Sequence, residues 1–373
     1  MITKKLNLNC AIGKTGYGIT SLNILKNLYK LDVEISLFPI GGPQGELNSE
    51  NEKGIIQELF NNSQSFDHLA PCLKIWHQFD LAQRIGSGHY YSFPFFEIDT
   101  LKPIEKCHLN SCDGIFVASE WGKNVLRHND IVKPIYVAPL AVDLDIFQTP
   151  TKIKVDNSYI FFHIGKWEHR KGQDFLIQAF NAAFEKDDDV ELWLLPYNMF
   201  LKPEEEKVWI DMAKNSKLAD KIRIFGRLPT QYHLADYIFH GDCGVYLSRA
   251  EGWNNEILES MALNKPIIAT NYSAHTEYCT PDNSYLVNVT ETEVANDGRW
   301  FHGEGKWAKL GQEQLDQSVE FMRFVYYNNI RTNPKGLETA KKFTWDKTAS
   351  IIHQTLMRNN SYYANSRKKT KRR

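Results

Sequence analysis

A chain of 373 residues, 42% hydrophobic and 24% charged, has the composition of a folded globular protein. It exceeds what one hydrophobic core ordinarily spans, so two domains are expected. The net charge of −1 excludes a general nucleic-acid binder, six scattered cysteines without a C-x-x-C pair exclude a zinc or redox framework, and no run of apolar residues is long enough to span a membrane.

Short apolar runs alternate with longer amphipathic segments along the whole chain. In the first half, strands are predicted at Leu6–Ile12, Val33–Phe38, Leu73–His77, Gly114–Ser119 and Ile135–Ala138, with helices at Gly18–Lys30 and Glu120–His128. In the second half, strands are predicted at Tyr159–Gly165, Val190–Leu195, Ile222–Phe225, Cys243–Ser248, Pro266–Thr270 and Tyr285–Val289. Helices are predicted between them at Gln173–Phe184, Glu204–Lys214, Gln231–His240 and Asn254–Leu263. This alternation implies two doubly wound α/β domains with parallel sheets. The junction is expected near Pro150, in the polar stretch 148–158, giving domains at 1–148 and 149–345. A closing helix at 346–360 and a basic tail at 361–373 follow; the tail lacks apolar periodicity and reads as disordered. The opening segment MITKKLNLNCAIGKTG has no long apolar stretch, so the expected location is cytoplasmic.

Two segments carry the chemistry. The first runs from Ser248 to Pro266 and holds Glu251 and Glu259, in a strand-loop-helix setting that opens a helix near Asn254. Ligands of doubly wound domains sit at the C-terminal ends of the strands. Glu251 falls in the loop there, and Glu259 roughly 8 Å along the helix axis. Two carboxylates so placed can accept hydrogen bonds from two separate diols, and the helix N-terminus between them offers N–H groups to a pyrophosphate. Solvated surface charges are the alternative for both, against which the Gly252-Trp253 pair and the tight turn weigh. The second segment, Phe162 to Gln173, again follows a strand and precedes a helix. Gly165 permits a sharp turn or a close backbone approach, and Lys166 and Lys171 can converge on a diphosphate. A basic surface loop is the alternative, and for either lysine alone the better one.

These segments resemble the retaining glycosyltransferases of family 4, which have the GT-B fold of two facing Rossmann-like domains about an interdomain cleft. Glu251 and Glu259 match the family's E-x7-E spacing, and Gly165-Lys166 with Lys171-Gly172 match its phosphate-binding segment. Asn271–Glu277, Ser119-Glu-Trp121, Val137–Asp143 and Phe343-Thr-Trp345 resemble further family segments, so the resemblance spans roughly residues 110–357. Asn254-Asn255 depart from it, where small or apolar residues are common in the family. The resemblance implies transfer of a sugar from a nucleotide-sugar donor to a glycan or lipid-linked acceptor, with retention and without a protein nucleophile, cofactor or metal. It implies that Lys166 and Lys171 stabilise charge on the leaving phosphate, that Glu251 holds donor-sugar hydroxyls and that Glu259 holds the ribose diol. Gly16, Gly165, Arg170, Arg227, Gly252, Trp253, Asn254 and Asn255 complete the expected donor site. A histidine of the first domain is expected to reach the donor sugar, with His77 first and His89 second, against a structural histidine as the alternative.

The loop Gly13–Gly18 lacks the first glycine of a Walker A motif, since Leu8 stands there, and its G-x-x-G-x-G order is not a Rossmann fingerprint. It resembles the family's glycine-rich loop, with a plain tight turn as the alternative. Two D-x-D strings, Asp143-Leu-Asp145 and Asp187-Asp-Asp189, read as turns, so no metal site is expected. The tail cations Arg367, Lys368, Lys369, Lys371, Arg372 and Arg373 suit either a solvated end or peripheral contact with anionic membrane. A nucleotide-sugar epimerase, a glucosyltransferase acting on nucleic acid and a non-enzymatic scaffold are the competing functions.

Overall fold

The computed structural model describes residues 4–13, 15–41, 50–148 and 158–370, apart from the side chains of 50, 51 and 359–370. The chain divides into two compact units. The first comprises the described residues of Met1–Phe96, Leu101–Leu140 and Phe343–Arg373; the second comprises Glu97–Thr100 and the described residues of Ala141–Lys342. The division therefore falls after Leu140 where the sequence pointed to the stretch after Gln148, most of which lies outside the described residues. The closing helix belongs to the first unit.

In the first unit the order is β1 (Lys5–Cys10), α1 (Gly16–Lys30), β2 (Glu34–Pro39), α2 (Glu50–Asn62), β3 (Cys72–Ile75), β4 (Tyr90–Ser92), α3 (Pro103–Ser111), β5 (Gly114–Val117), α4 (Glu120–His128) and β6 (Ile135–Val137). The six strands form one parallel sheet in the order β2-β1-β3-β4-β5-β6. Strands β3, β4 and β5 are buried throughout, as a parallel sheet covered on both faces requires. The strand β4 and helices α2 and α3 were not among the predicted elements. Side-chain caps fix two helix starts: Thr15 Oγ1 accepts from Gly18 N at 3.2 Å and Ser119 Oγ from Gly122 N at 3.1 Å.

The second unit runs β7 (Tyr159–Ile164), α5 (Gln173–Ala183), β8 (Val190–Leu195), α6 (Pro203–Lys214), β9 (Ile222–Ile224), α7 (Gln231–His240), β10 (Cys243–Tyr246), α8 (Asn255–Ala262), β11 (Ile267–Thr270), β12 (Tyr285–Val287), β13 (Thr292–Asn296), β14 (His302–Ala308), α9 (Gln312–Tyr327) and α10 (Pro334–Ala340). Its parallel sheet has the order β12-β11-β10-β7-β8-β9. The chain winds outward through β7, β8 and β9, then returns to place β10 on the other side of β7. The strand order reverses there, and the loops after β7 and β10 leave the same end of the sheet. That is the switch point at which doubly wound sheets bind ligands. An antiparallel hairpin, β13–β14, is an unpredicted addition.

The core of this unit packs Phe161, Phe175, Leu176 and Phe180 from β7 and α5 against Met322 and Val325 of α9. Trp167 lies beneath the loop after β7, stacked on Trp209 of α6 with ring centres 5.3 Å apart.

The last helix, α11 (Trp345–Thr370), extends through residues 361–370, for which composition alone reads as disorder. Lysine and arginine propagate an established helix well, which apolar periodicity does not register. Among the described residues no helix is long and apolar enough to cross a membrane.

Candidate active site

Two glycines allow the β7–α5 loop to fold back on its neighbours. Gly172 has φ +75°, and a Cβ there would stand 1.9 Å from the Leu247 carbonyl oxygen, so the loop backbone lies directly against the end of β10. A Cβ on Gly165 would stand 3.1 Å from His163 Nε2 and 3.2 Å from Lys171 Cδ. Gln173 Nε2 closes the turn by donating to the carbonyls of Gly165 and Lys166, both at 2.8 Å. The residues that begin α5 are thereby held against those that end β10.

The result is a buried ionic cluster built around Glu251. Lys171 Nζ lies 2.9 Å from Oε1 and 3.1 Å from Oε2. Arg170 Nη1 donates to Oε2 at 2.9 Å, and Ser248 Oγ donates to Oε1 at 2.8 Å. Each carboxylate oxygen of Glu251 thus has two donors. Arg170 also donates to the Ala250 carbonyl at 2.7 Å and to Glu168 Oε2 at 2.9 Å, and stands 3.6 Å from Glu97. Lys166, with 43% of its side chain exposed, pairs with Glu168 Oε1 at 2.8 Å. Burial alone would raise the pKa of Glu251, but Lys171 and then Arg170 outweigh it and bring the value down to about 2. Burial likewise opposes the charge on Lys171, which Glu251 restores, so its pKa stays above the ordinary lysine value.

A second shell of contacts fixes the loop after β10. The backbone N–H of Glu251 donates to Ser273 Oγ at 2.8 Å. Tyr278 Oη donates to the carbonyls of Trp253 at 2.9 Å and Asn254 at 2.5 Å, and its ring centre lies 4.9 Å from that of Trp253. Arg249 forms a two-pronged pair with Asp174 at 3.0 Å, donates to the His169 carbonyl at 2.6 Å and reaches Glu293 of β13 at 3.3 Å. That last contact ties the hairpin to the loop. His163 is driven to about 4 by burial, and its Nδ1 lies 2.8 Å from the Val245 carbonyl, so it stands neutral beneath the cluster.

Glu259, on the second turn of α8, has the opposite surroundings. It is 7% exposed, and burial followed by the charge of Glu256 raises its pKa well above the ordinary carboxylate value.

The expected residues are therefore distributed as follows. Lys166, Arg170, Lys171 and Glu251 come together, but Glu251 is filled by protein donors where the family resemblance gave it to sugar hydroxyls. Gly252, Trp253, Asn254 and Asn255 form the turn into α8, and Asn254 caps it with φ 72° and ψ 76°. Arg227 is exposed, 5.4 Å over the ring of Tyr197.

Gly16 and His77 belong to the first unit. Gly16 opens α1, and nothing would lie within 4 Å of a Cβ there; the close approach is made by Gly18, whose Cβ would stand 2.5 Å from Gly13 O. Lys14 lies outside the described residues. His77 follows β3 and packs 4.5 Å from the Tyr17 ring and stacked 4.9 Å from Phe79, at the switch point of its own sheet between β1 and β3. His89 precedes β4, which runs parallel to β3 with Cys72 opposite Tyr90. It therefore stands at the other end of the sheet, 3.5 Å from Asp113, and is withdrawn as the second candidate. The three-residue strand β4 offers no period from which that placement could be read.

Both D-x-D strings serve local structure: Asp143 Oδ1 accepts from Asp145 N at 3.1 Å, and Asp189 Oδ1 from Ser158 Oγ at 2.5 Å. Sequence reading passed over Glu168, Ser248, Ser273, Tyr278 and the Arg249–Asp174 pair. The alternation of charge in Lys166-Trp-Glu168-His-Arg170-Lys171 was the available signal for Glu168.

Residues 158–297 match the family model described as "Glycosyl transferases group 1". An uncharacterised glycosyltransferase of Methanocaldococcus jannaschii is 27% identical over 201 residues, which are 51% of this chain and 48% of that protein. The chain spans about half the length of this curated relative. Among solved structures, sucrose-phosphate synthase from Thermosynechococcus elongatus superposes with a TM-score of 0.72 at 13% identity, over 96% of this chain and 99% of the other. A glycosyltransferase from Rickettsia africae gives 0.67 at 16% identity, over 95% and 99%. The Anabaena protein HepE, in complex with UDP and glucose, gives 0.65 at 13% identity, over 94% and 99%. The two parallel-sheet units thus have the GT-B fold. The family match lies within the second unit, over residues 158–297.

Proposed function

We propose that this chain is a retaining glycosyltransferase that moves a sugar from a nucleotide-sugar donor to a glycan or lipid-linked acceptor. The observation that carries the reading is the pairing, at one switch point, of a cationic cluster and a buried acid that has no cationic partner among the described residues. Lys171 and Arg170 are fixed by Glu251, Lys166 is half exposed beside them, and Glu259 lies on the helix that leaves the same loop. Cations held in place before the reaction stabilise charge that develops on a leaving diphosphate without reorganising. A buried carboxyl with no cationic partner suits the two hydroxyls of a ribose, which donate hydrogen bonds and carry no charge.

In this reading the bond between the anomeric carbon and the diphosphate oxygen breaks, leaving an oxocarbenium-like sugar. The acceptor hydroxyl attacks from the face that the diphosphate leaves, and a phosphate oxygen takes its proton. Lys166 and Lys171 stabilise the diphosphate, Glu259 orients the nucleoside, and Glu251 and Arg170 are positioning residues that hold Lys171 in place. No step uses a metal.

The test is a donor screen in which each nucleotide sugar is incubated with the full chain and its products are identified by mass spectrometry. Release of nucleoside diphosphate from a subset of donors, undiminished in EDTA, is expected. Loss of activity in EDTA with rescue by Mn²⁺ would remove the metal-free mechanism. A sugar epimer in place of free diphosphate would replace transfer with epimerisation.

A further inference from the structure

We propose that the side-chain amide of Asn254 reads the hydroxyl groups of the donor sugar and so sets which nucleotide sugar is accepted. The proposal rests on the glycosyltransferase reading above and assigns to Asn254 the recognition that Glu251 cannot supply.

Asn254 is 5% exposed, and among the described residues neither its Oδ1 nor its Nδ2 has a hydrogen-bond partner; the neighbouring Asn255 Oδ1 is also buried and has no partner among them. Buried amide atoms without partners are costly and uncommon in folded proteins. Three in one turn mark a place where something other than the protein supplies the partners. Asn254 holds φ 72° and ψ 76°, the left-handed region that asparagine tolerates better than most residues with a side chain.

The backbone that carries the amide is held in place. Tyr278 clamps the carbonyls of Trp253 and Asn254, and Ser273 holds the backbone N–H of Glu251. The turn is fixed on both sides of the unpaired amide.

The chemistry of the amide selects its ligand. A phosphate oxygen only accepts and would leave Oδ1 unpaired. A cation would leave Nδ2 unpaired. A hydroxyl both donates and accepts, so the neighbouring hydroxyls of a neutral sugar ring satisfy both ends of the group. Glu251, already carrying two donors on each oxygen, has no capacity left for them.

The experiment uses Asn254→Gly and Asn254→Asp in the full chain. Calorimetric titration with UDP-glucose, GDP-mannose and ADP-glucose is compared with titration by the corresponding free diphosphates. Glycine suits the backbone angle, and aspartate keeps the shape while removing the Nδ2 donor. In both variants the Kd of the sugar nucleotide that wild type binds rises about ten-fold or more, while that of its free diphosphate changes less than about two-fold. The melting temperature of Asn254→Gly does not fall. An unchanged ratio of the two affinities overturns the proposal, as does a clear fall in melting temperature with donor binding intact, because the amide would then serve only the fold. Failure of wild type to bind any of the three sugar nucleotides would instead overturn the glycosyltransferase reading and this inference with it.

Discussion

Glu251 and Glu259 are the same residue, eight positions apart, on one loop and the helix it opens. Their surroundings are opposite. Glu251 is encased by Lys171, Arg170 and Ser248 and is held ionised, while Glu259 is buried with no cation beside it among the described residues and resists ionisation. Spacing in a sequence therefore locates two carboxylates without saying which is part of the scaffold. The loop supports a charge that completes the protein; the helix carries a carboxyl that awaits a neutral partner.

The largest effect should come from Glu251→Gln. Removing one member of a buried ionic cluster strands its cations, at a cost of about 3–5 kcal/mol. Denaturant unfolding at neutral pH should show that loss, together with a fall in kcat as Lys171 loses its anchor. The pH dependence sharpens the point. The pKa of Glu251 drops from 4.5 to about 2 on folding, so its stabilisation is complete above 4.5 and fades as pH falls toward 2. The gap between wild type and Glu251→Gln should close over that interval. A gap independent of pH would show that the carboxylate is not the anchor.

Glu259→Gln should behave in the reverse sense. A carboxyl whose folded pKa is raised loses stability as pH climbs above its unfolded value. At pH 7 the glutamine variant should therefore melt higher than wild type, and the difference should vanish near pH 4. The affinity for free nucleoside diphosphate should fall about ten-fold, as expected when a hydrogen bond to a charged or strongly polar group is weakened. A lower melting temperature at pH 7 would mean that a partner stabilises the charged form after all.

Lys166→Ala is the smallest change for stability. Its pair with Glu168 is half exposed, and such pairs contribute at most about 1 kcal/mol. Unfolding should hardly move while turnover of the nucleotide sugar drops, since this half-exposed cation beside the cluster is the one assigned to the diphosphate. Equal losses in stability and turnover would place Lys166 in the scaffold with Lys171.

The second unit was the more legible half because its central strands are continuous apolar runs. Val190–Leu195 and Gln231–His240 coincide with predicted elements, and β7, β10 and β11 differ by one or two residues. Buried parallel strands bounded by glycine or a helix start leave few alternatives. Strand β4 escaped because Tyr90–Ser92 is three residues long and has no period to detect. The hairpin escaped because His302–Ala308 is a glycine-containing, largely polar segment in which Gly305, Trp307 and Ala308 are buried. At the site, the positions of Lys171 and Glu251 were visible through motif spacing. That three donor groups converge on Glu251 was not, since Arg170 and Lys171 come from the loop after β7 and meet Glu251 and Ser248 only when β7 and β10 lie side by side.

The place of α11 has a consequence for how this protein comes into being. Ala349, Ile352 and Leu356 of that helix are buried, Thr348 Oγ1 donates to the Pro139 carbonyl at 2.5 Å, and α11 packs on α1. A ribosome must therefore make about two hundred intervening residues, enough to build the whole second sheet, before the first unit receives its final helix. The half that is translated first is completed last. Until then the apolar side of α1 that α11 covers stands open, which makes the nascent chain a client for chaperones during that interval.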